Sequence, residues 1–148
     1  MAAERLSDEL KASGAAMLAE LDKIGLNPSG ALWLYFPHVK DWRFAVVSAL
    51  VDTMGRRKVY GLIDEALERI GKSEFMTILD IHLYSASDIV PRNLGSAIRA
   101  KGGVMDFANS TVNGVTYDAV IYRLVPPPQL SEVNRAGKAF EKKVRSLA

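Results

Sequence analysis

The sequence predicts an α+β fold in the order α-β-β-α-β-α-β-β-α, with a mostly antiparallel five-stranded sheet covered by helices. Three observations carry this expectation. Apolar spacing switches repeatedly between the period of a helix and that of a strand. Strands neither alternate strictly with helices nor occur without them, which disfavours a doubly wound parallel sheet. Two pairs of strand-like runs are joined by links as short as antiparallel hairpins use.

From Leu6 onward, Leu10, Met17, Leu18, Leu21 and Ile24 recur at helical spacing, and the run closes on Gly25 with Leu26 and Pro28 beyond. A left-handed glycine after the last turn, followed by an apolar residue folding back, satisfies the final carbonyls of a helix. Residues 31–37 are too short and too aromatic for a helix and lie between Asn27-Pro28-Ser29-Gly30 and Pro37, so they read as a strand. A polar link, His38 to Asp41, leads into a second run from Trp42 to Val51. Its Ala45–Leu50 portion also suits a helix, but its β-branched and aromatic residues favour a strand.

The clearest helix follows. Val59, Leu62, Ile63, Ala66, Leu67 and Ile70 form one apolar stripe opposite Asp64, Glu65, Glu68 and Arg69, and Gly71 ends it. Phe75 to Tyr84 alternates as a strand, with Leu79, Ile81 and Leu83 on one side and Ile78, Asp80, His82 and Tyr84 on the other. Ser85 to Asp88 offers capping side chains and Pro91 suits a first turn, so Leu94, Ala97 and Ile98 predict a short helix stopped at Gly102-Gly103. Val104–Val112 and Val115–Val125 flank Asn113-Gly114, a two-residue turn that needs positive φ at both positions. Pro126-Pro127-Pro128 is a stiff extended spacer. Beyond it Ser131 is the expected N-cap of a last helix with Val133, Ala136, Phe140, Val144 and Leu147 in one stripe.

At 148 residues and 49% hydrophobic, the chain suffices for one well-filled core, so residues 1–148 are expected to form a single globular domain. Residues 1–25 supply its N-terminal helix and residues 126–148 the Pro-rich spacer and basic C-terminal helix. Without cysteine, disulfides, thiolate metal sites and cysteine nucleophiles are excluded. No apolar run approaches the roughly 18 residues of a membrane span. Glu4, Asp8 and Glu9 also stand where a signal peptide carries basic and apolar residues, so a cytoplasmic protein without membrane contact is expected.

Charge is uneven although the net is only +2. Residues 1–25 set Arg5, Lys11 and Lys23 against five acids, a net of −2, and residues 126–148 set Arg135, Lys138, Lys142, Lys143 and Arg145 against Glu132 and Glu141, a net of +3. The last helix is thus either an ordinary solvated face that complements its own dipole or a patch for an anionic partner. Arg56, Arg57 and Lys58 pose the same question at the start of the central helix, where unpaired N–H groups favour an anion. Gly55-Arg56-Arg57-Lys58 lacks the glycine spacing and hydroxyl of a nucleotide loop. The expectation is phosphate-backbone or acidic-partner contact, set against plain solvation.

Asp80 and His82 share a strand face, with Asp52 expected at a neighbouring strand end, which is the weak basis for a metal-dependent hydrolase or phosphoryl-transfer reading. No Gly-x-Ser-x-Gly or HExxH motif accompanies them, Ser48, Ser85 and Ser87 suit strand and cap roles, and no metal or cofactor is expected. Trp33, Tyr35 and Trp42 form an aromatic cluster around the first hairpin, with the composition of an interface or of a core covered on both sides. The leading expectation is therefore a non-enzymatic interaction or assembly module. It would bind a protein partner or itself, as a homo-oligomer, through the first hairpin or an exposed strand. A nucleic-acid-binding accessory protein using the basic residues is the alternative.

Overall fold

A computed structural model describes residues 5–72, 81–97, 104–112 and 114–147. Its elements are α1 (Asp8–Lys23), β1 (Gly30–Phe36), β2 (Asp41–Val47), α2 (Leu50–Met54), α3 (Arg56–Arg69), β3 (Ile81–Tyr84), α4 (Ile89–Ala97), β4 (Met105–Val112), β5 (Val115–Leu124) and α5 (Leu130–Ser146). The fold is α+β. Among the described residues the sheet runs β3-β2-β1-β5-β4, with β1–β2, β1–β5 and β4–β5 antiparallel and β2–β3 parallel. The sheet is therefore mixed. Helices α2 and α3 carry the chain across one face, so β3 runs beside β2 in the same direction, as a crossover connection requires.

Several boundaries differ from expectation for identifiable reasons. The second β-run stops at Val47 instead of Val51, and Ser48 turns the chain, its hydroxyl accepting from Leu50 N at 3.2 Å. Leu50 and Val51 are then buried on a short helix against α5, so tertiary burial decides between the two conformations that they suit. Gly55, at φ 84° and ψ 149°, separates α2 from α3 in a conformation that only glycine adopts without strain. The last helix starts at Leu130 after Gln129 rather than after Ser131, and its buried stripe is Val133, Gly137, Phe140 and Val144, with Gly137 in place of Ala136. Val112 pairs with Val115, as a two-residue turn at 113–114 requires. The expected strand portion 75–80 and the helix end at Ile98 to Gly103 lie outside the described residues.

Alternation along the strands divides the core into two. On the first face Trp33, Phe44, Val46, Val120 and Tyr122 pack beneath α1, α2, α3 and α5. On the second, Leu32, Leu34, Ala45, Val47, Ala119 and Ile121 share a smaller cluster with Leu94 of α4. Helix α1 sits close to the sheet because Gly14 has no side chain: a Cβ there would lie 2.5 Å from Trp33 Nε1 and 2.6 Å from the Tyr122 hydroxyl.

A register shift between Ala31 and Leu32 in the β1–β5 ladder aims two consecutive residues of β5 at α1. Tyr122 donates its hydroxyl to Lys11 O, and Arg123 grips both oxygens of Asp22 at 2.8 Å. Burial holds the Tyr122 phenol above its ordinary value of 10, so it remains a donor at neutral pH. The Asp22 carboxylate likewise raises the affinity of Arg123 for its proton. Together these contacts fasten the first helix across the sheet.

Candidate functional site

The three basic residues at the start of α3 do not converge. Successive helical positions lie about 100° apart, so Arg56, Arg57 and Lys58 leave the helix in three directions. Arg56 turns to β3, where Nε donates to Leu83 O at 3.1 Å and Nη2 meets Asp88. Lys58 turns to α5 and pairs with Glu141 at 3.3 Å. Arg57 is exposed on the outer side. The start of α3 thus supplies a strand anchor, an outward charge and a link to α5.

That link joins the two basic regions of the sequence. Glu141, half-buried, accepts from Lys58 and also from Arg145 at 2.8 Å. Lys138, Lys142 and Arg145 surround it and line an open depression of about 290 Å³. Arg135 shares their flank of α5 by helical spacing, whereas Lys143 lies on the other flank with its stem against Gly25.

Asp52 and His82, the described members of the proposed acid-base set, engage different partners. Asp52 stands in α2, not at a strand end, and its carboxylate accepts from the Ser85 hydroxyl at 2.7 and 2.8 Å. Ser85, only 4% exposed, also accepts from Ser87 N at 3.2 Å, and its own N–H donates to Asp88 at 2.9 Å. These bonds knit the loop after β3 to α2 at the carboxyl ends of the parallel strands, a place where ligands often bind in such sheets. Beside it lies a depression of about 260 Å³ lined in part by Asp52, Ser87 and Pro127.

His82 is engaged elsewhere, stacked on the second face between Phe36 at 5.7 Å and Tyr84 at 4.9 Å. The residue keeps an exposed side, and partial desolvation against the two rings, reinforced by Arg43 and Arg56, holds its imidazole below the ordinary 6.5. Asp80 lies outside the described residues. A buried serine oriented by a carboxylate, with the imidazole occupied in a ring stack, stitches a loop rather than assembling an activated nucleophile. Among the described residues no three His, Cys, Asp or Glu side chains form a group that could hold a metal ion, and no helix is long and apolar enough to cross a membrane.

The aromatic residues separate as well. Trp33 is core, 4% exposed and edge-on to Phe44 at 5.2 Å, so it is not a surface residue of the chain. Tyr35 and Trp42 are half-buried and pair across the hairpin at 5.5 Å. Trp42 lines a cleft of about 390 Å³ together with Leu6, Lys11, Asp106, Phe107 and Asp118. Lys11 and Asp106 pair there at 3.4 Å.

Among the described residues, β5 covers the outer edge of β1 over Gly30–Leu34 and β3 covers that of β2 over Phe44–Val47. Among the described strands, β3 and β4 end the sheet, and they end it differently. On β3 the Tyr60 hydroxyl donates to Ile81 O at 3.1 Å and accepts from Leu83 N at 2.8 Å, while Arg56 takes Leu83 O. Side chains of α3 thereby occupy the outward backbone groups of β3. Along β4, Met105 is exposed, as are Val104 before it and Val115 across the turn. No sequence motif marked Tyr60, Ser85, Asp88 or Glu141 for these roles, since each depends on an element distant in the chain.

The chain matches no protein-family model, no curated protein and no solved structure.

Proposed function

We propose that the protein is a small cytoplasmic, non-enzymatic interaction module that assembles with a second copy of itself along β4. The observation that supports this most is the contrast between the two end strands among those described: α3 side chains satisfy β3, whereas β4 carries exposed Met105, with exposed Val104 just before it, beside a cleft lined by Trp42. An end strand offers a row of N–H and C=O groups to another strand, and strand addition takes affinity from those bonds and specificity from adjacent pockets. Two β4 strands pairing across a two-fold axis present the same surface from both copies, which closes the assembly at a dimer. The ladder irregularity between Phe107 and Ser110 restricts the registers in which this works and so limits open-ended pairing.

Size-exclusion chromatography with light scattering over a concentration series tests the proposal. The expected result is a dimer that a Met105→Lys/Val115→Lys variant converts to a folded monomer, because a lysine on the end strand and another across its turn oppose pairing. A wild-type protein that remains monomeric throughout the series, or a variant that remains dimeric, overturns it.

A further inference from the structure

We propose that the seam between α3 and α5 is a second binding surface, a strip that holds the phosphate backbone of a nucleic-acid duplex without reading its sequence. Arg135, Lys138, Lys142 and Arg145 recur at intervals of three, four and three residues, which places all four on one flank of α5 over about 15 Å of helix. Lys58 joins them from α3 through Glu141. Glu141 anchors Lys58 and Arg145 from a half-buried position, and the nearby Arg69 is paired with Glu65, so the seam's cations exceed its acids.

The composition of the strip selects the partner. Its side chains are long and cationic, and none of the exposed large apolar residues lies between Asn134 and Ser146, which is unlike a helix that inserts into a membrane surface. Aromatic side chains are absent from its exposed residues, so it lacks the stacking platforms with which proteins grip single strands. Cations at turn-by-turn intervals match the regular phosphates of a duplex, and contacts of this kind position a protein without specifying bases.

Fluorescence anisotropy with a labelled random-sequence DNA duplex tests the inference in the intact protein. Each phosphate neutralised contributes about −0.9 to the slope of log affinity against log salt, so four to five contacts predict a slope of about −4. Lys138→Glu/Lys142→Glu is expected to weaken binding at about 50 mM salt by at least tenfold and to flatten that slope. Lys23→Glu/Lys143→Glu, which makes the same charge change on the side of α5 away from the seam, is expected to leave binding within about twofold, which separates the strip from net charge. Absence of binding at about 50 mM salt, equal losses in the two variants, or sedimentation with anionic phosphatidylserine vesicles in the absence of duplex binding overturns the inference.

Discussion

His82 carries the residue-scale prediction. Its imidazole lies between two rings, and partial desolvation, reinforced by Arg43 and Arg56, depresses its proton affinity in the folded state. Between the depressed value and the ordinary 6.5 the unfolded chain holds more protons than the folded one, so stability rises with pH across this window. Its contribution is harmless above the ordinary value and becomes destabilising as the pH falls through it. His82→Phe keeps a ring in the stack and removes the proton site. The denaturant midpoint of the variant, compared with wild type on going from neutral to weakly acidic pH, is expected to fall less; parallel falls contradict the assignment. Strand alternation in the sequence sets His82 on the face opposite Leu83, yet its partners Phe36 and Tyr84 decide its chemistry, and Phe36 arrives from another strand.

At the scale of elements, β3 and β4, the end strands among those described, are treated differently. Tyr60 lies on the flank of α3 that meets β3, and one hydroxyl serves both a carbonyl and an N–H of that strand. Tyr60→Phe removes the hydroxyl without removing the ring. It is expected to cost about 1–3 kcal/mol, the penalty for stranding partly buried backbone groups. Amide exchange at Leu83 should accelerate while exchange in β1, at the centre of the sheet, changes only with global stability. Unchanged protection at Leu83 would show that Tyr60 does not shield the strand. Helix positions were legible here because apolar stripes recur in α1, α3 and α5. The end of β2 was not, because Leu50 and Val51 suit either conformation and their burial against α5 makes the choice.

Taken as a whole molecule, the first face is ordered α1, α5, α3: Gly25 meets Lys143 on one side of α5, and Glu141 meets Lys58 on the other. Helix α1, tied to β4 through Lys11 and Asp106, therefore stands between the β4 edge and the basic seam. Sites this separate and without shared partners are expected to act additively. The edge variant Met105→Lys/Val115→Lys should lose dimerisation with its affinity per chain for a duplex changed by little more than its added charge, and Lys138→Glu/Lys142→Glu should dimerise as wild type does. Loss of both properties in either variant would show that the two surfaces are coupled.

Local chemistry in the chain determined the α+β class, the main helical stripes and the turn at 113–114, since period, glycine stops and turn residues act over a few neighbours. It also determined that disulfides play no part, because there are no cysteines. Only the tertiary structure decided that β3 runs parallel to β2, that Trp33 is core, that Arg56 serves β3 and that Lys58 joins the cations of α5. Each of these depends on which distant segment comes to lie alongside, and that is settled by burial of the whole sheet, which a pattern confined to one element does not encode.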